Sequence, residues 1–247
     1  MNMRADDRSF FAVSGLLFLG SAAVTILWCV SMPMHGGGTM AMAGMAWPAA
    51  AFSFLAMWLV MMAAMMLPSL APMLAGYRRA VAAPAGPRLD GLTALAGAGY
   101  FFVWTLLGAA VFALRATLAA LEMQLPALRH AVPFAAIAVI LIAGAFQFTS
   151  AKARALACCR EAPQRVAADK VAAWRHGLRL GLHCAGCCAN LTAILLAVGM
   201  MNLAAMIALT AAITAERLMP AGGRVARAIG AAALVAGLFL ATQALAI

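Results

Sequence analysis

Apolar residues in this chain fall into long blocks separated by short polar stretches, at about 10–31, 50–76, 92–118, 132–152, 178–199, 203–217 and 225–246. Most blocks hold roughly twenty residues, the number an α-helix needs to cross a hydrocarbon core about 30 Å thick at 1.5 Å per residue. Backbone polar groups in lipid must be satisfied within their own segment, so blocks of this length predict helices. The expected fold is all-α: one polytopic transmembrane bundle of about seven helices over residues 1–247. The sixth block spans only about 22 Å, so it tilts, thins the bilayer or enters it only partly. The blocks show no repeat, which gives no support to an inverted-repeat transporter.

The polar stretches set the orientation. With the N-terminus in the cytoplasm, all of the 17 Lys and Arg residues except Arg115 and Arg129 lie on one side. The positive-inside rule makes that side cytoplasmic and places the C-terminus in the periplasm of a bacterial inner membrane. Composition agrees: 66% of residues are apolar and 10% charged, against about 25% charged in soluble domains. The net charge of +10 reflects these basic loops and does not point to nucleic acid. The first block is too long for a signal peptide and lacks a small-x-small cleavage site, so it is expected to be retained. The basic loop at 153–177 is suited to lie along anionic lipid.

Candidate chemistry concentrates in the fifth block, in LHCAGCCANL at 182–191. His183 and Cys187, and Cys184 and Cys188, are four apart; Cys184 and Cys187 are three apart. On a helix these spacings allow all four groups to face the bundle interior together. Counted from Arg179, His183 lies about 6 Å deep and Cys188 about 13 Å deep. Ionisable groups at such depth are expensive and therefore point to function. A disulfide between Cys184 and Cys187 along one helix would be strained, which favours thiols or metal thiolates. Soft-metal binding, simple packing and dithiol redox chemistry remain as alternatives, in that order. Gly177, Gly181 and Gly186 favour close helix approach on this stretch.

Methionine supplies a second theme. The uncharged loop at 32–47 carries Met32, Met34, Met40, Met42 and Met45 with His35 among glycines. Thioethers are soft ligands that need no deprotonation, so Met34, His35 and their neighbours suit capture of cuprous copper outside the membrane. The alternative is a loop whose methionines dip into the headgroups. In the second block Met57, Met61 and Met65 recur at i, i+4, i+8, with Met62 and Met66 beside them. Such stripes usually fill gaps in a core. Here, however, Pro68 removes a backbone donor beside the stripe, and Met66 lies about 18 Å from Arg78, a depth matching the thiols.

Other polar residues carry weaker signals. Cys158 and Cys159 sit at the cytoplasmic end of the fourth block and could exchange metal with the buried thiols. Glu216 and Arg217 read as a snorkelling surface ion pair. Gln147 and Asn190 are expected to hydrogen-bond between helices. Arg115 and Glu122 read as an interfacial continuation of the third helix.

Three stretches, MMAAMMLPSLAPM at 61–73, FQFTSAKARALACCREAP at 146–163 and GLRLGLHCAGCCANL with the segment after it, resemble the bacterial family of predicted metal-binding integral membrane proteins. The resemblance covers most of the chain from about residue 50 and implies a seven-helix inner-membrane protein with a metal site. Carried over by motif, it supports Cys184, Cys187, Cys188, Met61, Met62, Met65, Met66, Gln147, Lys152, Cys159 and Glu216. Ala155 stands where relatives tend to have a cysteine three residues after the lysine, which leaves Cys158 as the substitute for a two-cysteine site there. The expected function is binding of a soft metal, cuprous copper first, for transport or delivery, with lipid, the ion and a periplasmic or membrane metal-handling protein as partners. No GxxxxGK[ST] loop is present, so the chain does not look ATP-driven by itself. The alternatives are a membrane thiol oxidoreductase using Cys184 and Cys187 against a quinone, and a non-catalytic assembly factor.

Overall fold

The computed structural model describes residues 5–31, 47–125, 127–160 and 167–245. These are helical almost throughout: α1 Ala5–Ser31, α2 Trp47–Ala85, α3 Leu89–Gln124, α4 Ala127–Phe146, α5 Ser150–Arg160, α6 Lys170–Val198, α7 Leu203–Leu218 and α8 Gly222–Leu245, with a 3₁₀ turn at Gly86–Arg88 between α2 and α3. Segments long and apolar enough to cross a membrane are Arg8–Ser31, the α2 and α3 helices within Trp47–Gln124, Lys170–Val198 and Gly222–Leu245. The α4–α5 pair is a further such span if its two parts count as one. At 16 residues, α7 is as short as the sequence suggested.

The centre is built by α2, α3 and α6, with α7 closing against α2, α6 and α8. On one flank α1 lies along α2, and on the other α4 pairs with α8 and reaches α6. Glycine lets α3 and α6 touch: a Cβ added at Gly177 would lie 2.1 Å from the Ala96 carbonyl oxygen, and one at Gly181 would lie 2.9 Å from Val103. Gly186 has open space around it, so it plays no part in this approach. A second close crossing joins α4 and α8, where a Cβ on Gly230 would meet Gln147 and the Gly144 carbonyl.

The fourth block departs from expectation. Its helix ends at Phe146 instead of running to residue 152, and α5 sets off at 71° to it. Thr149 explains the break. Its hydroxyl accepts from the Lys152 backbone N–H and donates to the Phe146 carbonyl, capping the start of α5. The Ala143 carbonyl near the broken end accepts from the Asn190 side chain of α6, as an apolar interior requires. Much of the stretch read as a lipid-facing loop is therefore helix: α5 folds back with Lys152, Leu156 and Cys159 buried, and α6 begins at Lys170.

Candidate metal centre

Four cysteines on two helices meet where α5 packs on α6. Their sulfurs form a chain: Cys159 to Cys187 at 3.3 Å, Cys187 to Cys188 at 3.5 Å, and Cys188 to Cys184 at 3.9 Å. All four residues are buried. Met66 of α2 adds a thioether, its Sδ 4.0 Å from Cys184 Sγ. Met61, Met62, Met65 and Met66 are each buried, at 3% exposure or less, so the stripe on α2 faces the interior. The depth match between thiols and stripe is therefore realised at Met66.

Not every candidate joins them. His183 is exposed, because it sits about a quarter-turn from the centre of the buried face formed by Cys184, Cys187, Cys188 and Leu191. Cys158 is exposed while its neighbour Cys159 is buried, so Cys158 does not stand in for the missing cysteine at Ala155. Met34 and His35, with the rest of their loop up to residue 46, lie outside the described residues.

Two charged groups frame the sulfurs, and neither is at the surface. Arg217 is 3% exposed and Glu216 2%, which overturns the expected surface ion pair between them. Neighbours in a helix point about 100° apart, and each finds a different partner. The Arg217 guanidinium donates to Cys184 Sγ at 3.0 Å, to Ser69 Oγ at 2.8 Å and to Met73 Sδ at 2.7 Å. Glu216 pairs with Lys152 at 2.7 Å and accepts from Gln147 Nε2 at 2.6 Å. Lys152 Nζ also donates to the Cys187 carbonyl at 2.7 Å and to Asn190 Oδ1 at 3.4 Å. The ammonium thereby uses all three of its donors, and it holds α5, with Cys159, against α6. Asn190 bonds between helices as expected, and Gln147, in the break between α4 and α5, reaches Glu216 of α7.

Residues that sequence reasoning missed complete the wall. The Tyr100 hydroxyl of α3 shares a hydrogen bond with Cys184 Sγ at 3.0 Å, and Ser69 and Met73 anchor Arg217. Tyr100 is one of only two tyrosines in the chain, but nothing local ties it to a residue 84 positions away.

The donor set is soft: four thiols and a thioether, all buried. Sulfurs sharing one ion at about 2.3 Å from each would stand about 3.8 Å apart, close to the Cys184–Cys188 and Cys187–Cys188 separations. The sulfurs run as a chain and not as a closed shell, and among the described residues no three Cys, His, Asp or Glu side chains are already arranged to hold an ion. Clustered soft sulfur donors nevertheless suit copper.

A family model described as PpoB2, copper chaperone, matches residues 55–240. The chain belongs to the PpoB2 copper chaperone family. That span includes the methionine stripe, the α4–α5 break, the four clustered cysteines and Arg217. No curated protein and no solved structure matches the chain. A copper chaperone family implies binding of copper, and the sulfurs of the thiol chain are soft donors suited to such an ion.

Proposed function

We propose that this protein is a multi-pass inner-membrane copper carrier that holds cuprous copper on Cys184, Cys187, Cys188 and Cys159 and passes it to a metal-handling partner. The observation that carries the proposal is the chain of four buried sulfurs with the Arg217 guanidinium against it. Two thiolates on one cuprous ion leave a net charge of −1, and Arg217 offsets it in a medium where unpaired charge is costly. Lys152 and Glu216 neutralise each other and so leave that balance intact. Met66 offers a labile third ligand from a separate helix.

The proposed orientation puts the basic ends of the helices in the cytoplasm, with seven crossings and opposite sides for the two termini. Helix directions support it. Phe10 stacks under Arg78, so α1 begins at the basic end of α2, while α8 starts beside Arg224 and Arg227 and runs back along α4. Ligand strength rises from thioether to thiolate toward that basic end. A cation moving inward would gain about 2.3 kcal/mol per charge per 100 mV.

The test is copper per protein, with sulfur coordination read by X-ray absorption, in wild type and in a Cys184→Ser, Cys187→Ser, Cys188→Ser variant that still inserts. Wild type should bind cuprous copper through sulfur and release protons as its thiols give them up. The variant should lose the ion. Full copper with an unchanged sulfur shell would mean that the cluster only packs. A thiol oxidoreductase has one observation in its favour: Cys159 and Cys187 face each other across two helices, free of the strain of an intrahelical bridge. A disulfide between them that cycles with a bound quinone would select that function.

A further inference from the structure

Methionines gather a second time at the end of the bundle away from the basic residues. A small cavity lies between α1, α2 and the α6–α7 turn. Five of the eight residues lining it are methionines, Met57, Met61, Met200, Met201 and Met206, and a sixth is Cys29. With 18 methionines in 247 residues, an average lining of that size would hold fewer than one. Local structure accounts for how they converge. Gly199 takes a φ of 114°, a left-handed conformation that glycine adopts at little cost. The chain there reverses over Met200 and Met201, and the Asn202 side chain caps α7 at Ala205. Met206 follows within the first turn of that helix.

We propose that this cavity is a thioether site for a monovalent soft cation, a loading position that hands the ion along α2 to the thiol chain. The proposal rests on the copper-carrier function above and adds the route by which the ion arrives. Thioethers carry no proton to displace and select soft monovalent ions over hard divalent ones. Met61 borders the cavity and also begins the buried row Met61, Met62, Met65, Met66, whose last member lies 4.0 Å from Cys184. From Met57 to Met66 the helix rises about 13 Å, with sulfur at every turn. Transfer is ligand exchange alone: a thioether–metal bond breaks, a thiolate–metal bond forms, the thiol proton leaves to solvent, and no electron moves.

Methionine also fills gaps in cores, and leucine does so with similar volume and no sulfur. The test is therefore Met200→Leu with Met206→Leu, probed with silver(I) nitrate as a redox-inert monovalent ion on the full-length protein in detergent. In a background in which all six cysteines, Cys29, Cys158, Cys159, Cys184, Cys187 and Cys188, are serine, silver should still bind through a thioether shell in X-ray absorption. The two leucines should weaken it by about tenfold or more, the scale on which metal sites respond to loss of a supporting group. With the thiols intact, the same leucines should slow silver arrival at them while leaving their final thiolate shell unchanged. No silver on the folded cysteine-free protein, or equal binding with and without the leucines, overturns the proposal. If the cysteine-free protein does not fold, unchanged loading rate and total silver in the leucine variant overturn it. Silver held by the thioether cavity while the thiols bind none would instead sink the thiol site alone.

Discussion

Replacing Glu216 by leucine should be among the most damaging single changes in the chain, and adding Lys152→Met should repair much of the damage. The two side chains are 2% and 1% exposed and their charges stand 2.7 Å apart. Solvent screening therefore gives little relief. Glu216→Leu leaves the Lys152 ammonium with two neutral acceptors, the Cys187 carbonyl and Asn190 Oδ1, and leaves Gln147 Nε2 without its acceptor. Breaking a buried pair from one side costs about 3–5 kcal/mol, whereas replacing both charges by apolar groups is often nearly neutral. At about 2–4 °C per kcal/mol for a chain of this size, the single change lowers the melting temperature by about 6–20 °C. Lys152→Met alone should do similar harm, and the double variant should melt above either single. The assay is thermal unfolding of the purified protein in one detergent, read as a double-mutant cycle. Copper loading follows the same order, because Lys152 ties the helix carrying Cys159 to the carbonyl of Cys187. A double variant whose loss equals the sum of the singles would refute a coupled buried pair. Singles that melt with wild type would show that water reaches it.

Two further predictions concern geometry. Gly177→Ala places a methyl against the Ala96 carbonyl oxygen at 2.1 Å, so α3 and α6 must separate at a cost of about 1–3 kcal/mol; Gly186→Ala, with open space, should melt as wild type does. His183→Ala and Cys158→Ser should leave copper stoichiometry and sulfur coordination unchanged, and Cys158 should react with a maleimide in the folded protein while Cys159 does not. Loss of copper in either variant would place those residues back in the site.

The apolar blocks were enough to read an all-helical fold with helices of bilayer length, because such a helix is dictated by length and hydropathy alone. The methionine stripe and the thiols were legible for a related reason: their spacing of three and four fixes a shared helix face whatever surrounds it. What escaped was each feature decided by contacts between helices. The fourth block is apolar through Phe148 except for Gln147, so hydropathy carried it past the break, although Thr149 before Ser150 and Lys152 is a usable capping signal. Tyr100 had no local mark of its partnership with Cys184. His183 had the right spacing to Cys187 but the wrong phase relative to the whole buried face, a distinction that appears only when Leu191 and Gly181 are included in the count.

The charged residues show where such reasoning has to change. Lys152, Glu216 and Arg217 all stand at ends of apolar blocks, where charge is cheapest and a snorkelling role is the natural assumption. Adjacent residues on a helix do not face each other, so Glu216 and Arg217 could not both serve one surface pair in a regular helix. Two opposite charges side in sequence but apart in phase must find two partners, and at the end of a buried helix those partners come from the core. For Glu216 the partner is a lysine brought in by the broken helix, and for Arg217 it is the sulfur of Cys184.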